Sequence, residues 1–259
     1  MLLIDADVLL YRACRAVERE ELFGADHHVL FSSFEEAKEK FHRLLKDVVD
    51  ECETFNFGRE YLLYVSGRSN WRKNVMVDYK SNRTDRKPLC YGRMKEYLLE
   101  LGANMAETWE ADDLLATDAV AGEGTIVSVD KDFLSVPAPF IRLSADLVPL
   151  ELHVSTAEQA RWFHMKQTLS GDAVDGYKGC PRFGDKTATK WLNDNVASPG
   201  EIQADEVEEI WEGVLALFEK AGLDEIDAQT NATVAHILHP DEAPRPWLLD
   251  EEAILCGNK

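Results

Sequence analysis

A chain of 259 residues can bury a sizeable core as one α/β domain, or as one such domain with a small appendage, and nothing in its length calls for three. Its 45% hydrophobic and 29% charged residues are those of a soluble globular protein, and no apolar run approaches a membrane span. The net charge of −20 weighs against a nucleic-acid partner, because phosphate binding runs on basic surfaces.

The distribution of charge reverses that impression. From residue 196 onward three Lys/Arg face fifteen Asp/Glu, which accounts for −12 of the −20. Residues 68–95 instead hold nine basic side chains (Arg68, Arg72, Lys73, Lys80, Arg83, Arg86, Lys87, Arg93, Lys95) against Asp78 and Asp85. A phosphate-binding stretch fits there.

In chain order, LLIDADVLLYRA (2–13) reads as a short buried strand ending near Asp5 and passing into a helix without a glycine-rich phosphate loop. Residues 33–54 carry Phe34, Ala37, Phe41, Leu44, Leu45, Val48, Val49 and Cys52 at helical spacing, with Ser33 and Glu36 placed as a capping box. EYLLYVS (60–66) is a second strand. The basic stretch follows, then a helix around 92–101, a strand near 103–107 and a helix opening at EADDLLATDAVA (110–121). TIVSV (125–129) is a strand ending on DKDF, and another is expected near 139–143. This alternation predicts an α/β fold with a mostly parallel central sheet flanked by helices. Beyond residue 155 the pattern is helical: 156–169, about 185–193, and amphipathic helices near 202–221 and 224–238. Cys14, Cys52, Cys90, Cys180 and Cys256 form no metal or disulfide spacing and read as reduced, packed thiols. The start lacks the basic head and long apolar stretch of a secretory signal, so a cytoplasmic location is the expectation.

Four acidic clusters fall at expected element ends: Asp5 and Asp7; Glu110, Asp112 and Asp113; Asp130 and Asp132; Asp172 and Asp175. Sites in parallel sheets gather at the carboxyl ends of strands, and the first three clusters follow predicted strands. So many carboxylates converge only if a counter-ion neutralises them, and hard oxygen ligands favour magnesium or manganese. Taken one at a time, each cluster has a plainer reading as a turn, a cap or a helix's acidic first turn.

LIDAD (3–7), NWRK (70–73), DYKSNR (78–83), EADD (110–113), VSVDKDF (127–133) and SGDAVDGYKGCPRFGDKTA (170–188), in that order, resemble the motifs of the flap-endonuclease and 5'-to-3' exonuclease family, most of all those of podovirus-type bacteriophages. The resemblance implies a parallel-sheet nuclease core at 1–195, a helical arch at about 68–95 and a helix-hairpin-helix gripping duplex DNA at about 166–195. An acidic helical region at 196–259 would pack on that core. It further implies two magnesium ions, with manganese as a substitute, held directly or through water by Asp5, Glu110, Asp112, Asp113, Asp130, Asp132, Asp172 and Asp175, with Asp7 as their neighbour. Lys80 and Arg83 would approach the scissile phosphate, with Tyr79, Arg86 and Lys87 beside them on the DNA. Gly179, Arg182, Gly184, Lys186 and Thr187 would meet duplex phosphates, and a potassium ion could sit at that hairpin. Two departures stand out: Arg182 replaces a usual glycine, and Ser66-Gly67-Arg68 stands where the family commonly has an aspartate.

The implied partner is DNA with a 5' end, flap or nick, with RNA–DNA hybrids open and no membrane, and with host cytoplasm as the location if a phage encodes the chain. Two rival readings stay open. One is an aspartyl-phosphatase acting on a small phosphomonoester through Asp5; the other is a DNA-binding relative whose chemistry is weakened by the gap at Gly67.

Overall fold

The computed structural model describes residues 1–23, 27–240 and 243–249; Cys256 and the end of the acidic tail lie outside them. The elements are β1 (Leu2–Asp5), α1 (Ala6–Ala16), β2 (Arg19–Phe23), β3 (His27–Phe31), α2 (Phe34–Cys52), β4 (Tyr61–Tyr64), α3 (Arg72–Val75) and α4 (Tyr91–Glu100). They continue with α5 (Ala111–Val120), β5 (Thr125–Ser128), β6 (Pro139–Leu143), β7 (Pro149–Val154), α6 (Ala157–Ser170), α7 (Asp185–Asn195), α8 (Val207–Lys220) and α9 (Glu225–Ala235).

The chain packs as two units, one of residues 1–67, 85–131 and 139–153, the other of 68–84, 132–138 and 154 onward. Segments 154–195 and 196–249 therefore share a unit, a division different from a boundary at residue 195. In the first unit five strands run in the order β4-β1-β5-β6-β7, with β1 parallel to β4 and β5, and β5 parallel to β6. β1 and β5 are buried along their whole length, as expected of central parallel strands covered on both faces. Helices α1, α2 and α4 bury Leu9, Ala13, Phe41, Leu45, Val48, Met94 and Leu98 with Ile4, Val127 and Ile141 in one core. Ser33 caps α2 as its spacing predicts, its hydroxyl accepting from Glu36 N–H.

Three expectations change. The strand near 103–107 is reduced to a single bridge from Asn104 to Tyr64. The antiparallel hairpin β2–β3 and the strand β7 appear where no element was expected. The basic stretch, where a helical arch at about 68–95 was implied, contains the four-residue α3 and turns before α4.

In the second unit α6, α7, α8 and α9 close around Met165, Leu169, Leu192, Trp211, Val214 and Phe218. Thr156 and Gln159 form a reciprocal capping box that starts α6. Cys14, Cys52, Cys90 and Cys180 are free and buried, with burial holding the Cys14 thiol at about 12 and the Cys52 thiol at about 11. Among the described residues no helix is long and apolar enough to cross a membrane.

Candidate active site

Asp5 is both the last residue of β1 and the N-cap of α1, so the chain turns helical at Ala6 instead of staying extended to Asp7. The helix brings the two acids together all the same. Asp5 Oδ1 accepts from Asp7 N–H at 3.1 Å, and Asp5 Oδ2 accepts from the Ser128 hydroxyl at 2.8 Å. Ser128 in turn accepts from Asp130 N–H at 3.1 Å, which ties the end of β5 to the end of β1. Burial first, then the charge of Asp7, push the Asp5 carboxyl up to about 7; Asp130 adds to the rise and the Ser128 and Asp7 hydrogen bonds oppose it.

Asp7 also reaches the segment at residues 66–68. Its Oδ2 accepts from Ser66 N–H at 2.9 Å and its Oδ1 from the Tyr91 hydroxyl at 3.3 Å. Gly67 itself is boxed in: a Cβ there would lie 2.3 Å from the carbonyl oxygens of both Ala106 and Glu107. Position 67 thus has no room for a side chain unless the backbone shifts. On α5, Glu110 is the N-cap and its N–H donates to Asp113 Oδ2 at 3.2 Å, while Asp112 is half-buried in the same first turn.

The second unit holds the other acids. Tyr177 is driven far above its ordinary range by burial and then by the charges of Asp132, Asp172 and Asp175. Asp175 differs from Asp5 in having cations beside it. Arg83 Nη2 donates to its Oδ1 at 2.8 Å, Lys80 Nζ lies 3.5 Å from its Oδ2, and the Tyr79 hydroxyl donates to Oδ2 at 2.8 Å. Lys80 adopts a positive φ of 55°, and its own N–H donates to the Asp175 carbonyl. Asp172 Oδ1 accepts from Val174 N–H. With protein donors on so many of these oxygens, no group of three or more His, Cys, Asp or Glu side chains among the described residues is already arranged as an ion cage.

The side chains of the basic stretch divide between buried and exposed positions. Tyr79 is buried, its hydroxyl committed to Asp175 and its ring packed with Tyr177 and Val234, so it presents no stacking face. Arg86 grips Glu18 through both terminal nitrogens and holds that carboxyl down at about 2, which fastens the 85–89 turn to the end of α1. Arg72 is buried and donates to the carbonyls of Val234 and His236. Lys95 donates to the Ser66 and Gly67 carbonyls. Lys87 is exposed, its ammonium 4.5 Å from the Tyr91 ring centre.

In the α6–α7 connection, Gly179 is buried and its N–H donates to Asn231 Oδ1 at 2.9 Å, so that amide is unavailable to a phosphate. Glycine is required there because a Cβ would meet Gly171 N at 2.3 Å. Arg182 has φ +70°, the left-handed conformation that explains why glycine is usual at this position. Arg182, Gly184, Lys186 and Thr187 are exposed together around the first turn of α7, which has no side-chain cap.

No protein-family model matches the chain. Two phage proteins align with it almost end to end. The exodeoxyribonuclease of Enterobacteria phage T3 is 28% identical, covering 93% of this chain and 88% of its own. The exonuclease of Escherichia phage T7 is 27% identical, covering 93% and 89%. A solved T5 5'-exonuclease with bound zinc ions shares the fold, with a TM-score of 0.56 over 91% of this chain and 88% of that one at 14% identity. The resemblance to the flap-endonuclease and 5'-to-3' exonuclease family is borne out.

Against that 5'-nuclease background, Ser128, Tyr91 and Tyr177 are the residues that motif reading passed over. Ser128 had a signal, since it precedes Asp130 by two and side chains two apart on a strand share a face. Tyr91 and Tyr177 had none, because their importance comes from acids distant in sequence.

Proposed function

We propose that the chain is a divalent-metal-dependent 5'-to-3' exonuclease and structure-specific 5' nuclease that hydrolyses phosphodiester bonds of DNA. Similarity to phage exonucleases along nearly the whole chain is the observation that carries this reading. The chemistry of the first unit agrees with it. Burial first, then the charge of Asp7 and to a smaller extent that of Asp130, raise the Asp5 carboxyl to about 7, and every named influence of a neighbouring charge on Asp5 is repulsive. A divalent cation relieves that repulsion, and oxygen-only donors suit magnesium or manganese. Asp5, Asp130, Glu110 and Asp112 would hold one ion, with Asp7 in place of the carboxylate missing at Gly67; Asp132, Asp172 and Asp175 would hold a second. Bound ions of this kind polarise a phosphodiester, lower the pKa of an attacking water and stabilise the leaving oxygen.

The protein's own cations do the rest. Lys80 and Arg83 supply, respectively, a point charge and a two-pronged donor for phosphate oxygens, and Asp175 keeps both oriented until a phosphate competes for them. Gly184, Lys186, Thr187 and Arg182 meet duplex phosphates without reading sequence. A potassium ion at this hairpin belongs to the same reading, checked by exchanging potassium for sodium in duplex-binding assays. Attack by Asp5 on a phosphomonoester is disfavoured, since its oxygens are engaged by Ser128 and Asp7 N–H.

End-labelled duplex, 5'-flap, nicked and RNA–DNA hybrid substrates, incubated with chelator, magnesium or manganese and sized on gels, test the proposal. The expected result is 5'-terminal products only with a divalent ion. Full turnover in excess chelator, or phosphate released only from small esters, would overturn it.

A further inference from the structure

The five-stranded sheet ends on β7, and that edge carries an unusual row of exposed apolar side chains. Leu150 is 56% and Leu152 40% exposed, flanked by exposed Val148 and Val154. The face they occupy follows from their neighbours. His153 stacks on Phe140 at 5.9 Å between ring centres, and Arg142 lies 3.8 Å from Glu151, so these four share one side of the β6–β7 pair. Alternation places Leu150 and Leu152 on the other side, with Ile141 and Leu143, which belong to the core beneath α1 and α2. Among the described residues, the apolar face of the sheet therefore continues past its covering helices to an exposed border. Such an edge is a template for another strand unless it is short, bulged or charged.

The sequence of β7 identifies the strand it fits. We propose that β7 pairs antiparallel with β7 of a second copy of this chain, about a twofold axis at Leu152. In that register Leu152 meets its own counterpart, Leu150 of each copy meets Val154 of the other, and Glu151 of each copy meets His153 of the other. The apolar face closes on itself. On the opposite face each carboxylate gains an imidazole across the join, extending the Glu151–His153 contact of 2.9 Å already present within one strand. Shifting the axis by one residue would oppose Glu151 to itself or His153 to itself, and a half step would oppose a polar side chain to Leu152, so the charge pattern selects this register. A self-complementary patch of this kind generates a closed pair rather than a filament. The net charge of −20 opposes association at low ionic strength, and the pairing strengthens as salt screens it.

Sedimentation equilibrium of the full chain, from about 5 to about 200 µM in roughly physiological salt, tests this directly. Wild type is expected to move from monomer toward twice the monomer mass. Leu152→Lys places like charges on the axis and is expected to weaken the pairing tenfold or more, with the circular dichroism spectrum unchanged. Glu151→His and His153→Glu are each expected to weaken it, and the double swap to restore it, an outcome that misfolding does not produce. A wild type that stays monomeric throughout the range overturns the proposal. So does a dimer that Leu152→Lys leaves intact.

Discussion

Asp5 and Asp175 are both half of a carboxylate cluster at an element end, yet their surroundings are opposite. Asp5 is buried, flanked by Asp7 and Asp130, and answered only by a hydroxyl and an amide, which leaves its carboxyl raised to about 7. Asp175 is met by an arginine, a lysine and a tyrosine hydroxyl. Among the described residues Asp5 has no cation beside it; Asp175 already meets Lys80 and Arg83, which an incoming ion or phosphate has to displace.

The largest expected effect follows from that division. Asp130→Asn should lower the single-turnover rate at saturating magnesium on the order of 10³-fold while preserving the fold. Asp175→Asn should leave Lys80 and Arg83 less well aimed, with a loss of about tenfold to a hundredfold. Equal losses would erase the distinction between the two groups. A rate for Asp130→Asn within tenfold of wild type would break it outright.

The next concerns Gly67. An aspartate there restores the family's carboxylate on paper, but its Cβ would stand 2.3 Å from two backbone oxygens. Gly67→Asp is therefore expected to destabilise by about 2 kcal/mol or more, read as a lower urea midpoint, without lowering the magnesium requirement. Asp7→Asn, by contrast, should raise the magnesium concentration for half-maximal activity, because Asp7 reaches the altered segment through Ser66 N–H.

The sequence made the frame legible, since β1, β5, β6, α2, α5 and α6 follow from hydrophobic period, caps and turn signals that act locally. It did not disclose β2, β3 or β7. β2 and β3 lack the apolar–polar alternation of a half-buried strand, whereas β7 has it in Leu150, Leu152 and Val154 but over only five residues and without burying them. The acids of the site could be named from motifs, but their division could not. What separates Asp5 from Asp175 is the company of residues such as Ser128, Tyr91, Lys80 and Arg83, most of them far away in sequence. The basic stretch misled for the same reason: Arg72, Arg86 and Lys95 look like phosphate ligands in one dimension and are consumed by internal carbonyls and Glu18 in three.

A smaller effect is measurable in stability. The folded state raises the Asp5 carboxyl from 3.8 to about 7, so it favours the neutral acid. That contribution is complete below pH 3.8 and is lost as pH rises through about 7. Asp5→Asn, neutral at every pH, should therefore gain on chelator-treated wild type as pH rises from about 5 to about 8, by roughly 2 kcal/mol in denaturant titrations. Saturating magnesium should shrink the gap by stabilising wild type alone. A constant gap across that range would remove the repulsion on which the contrast with Asp175 rests.

The smallest effect separates fold from grip at the α6–α7 hairpin. Arg182 holds φ +70°, where a side chain costs about 1 kcal/mol and glycine costs little. Arg182→Gly should relieve that strain, less the extra freedom glycine gives the unfolded chain, for a net gain of at most about 0.5 kcal/mol. The same change deletes an exposed cation next to Gly184, Lys186 and Thr187. Duplex affinity should fall, and the slope of its logarithm against the logarithm of salt concentration should drop by about 1. Stability rising while affinity falls would show that the arginine is kept for a phosphate at the expense of the turn. Unchanged affinity with raised stability would place Arg182 outside the DNA footprint and leave Lys186 and Thr187 to carry the hairpin's hold.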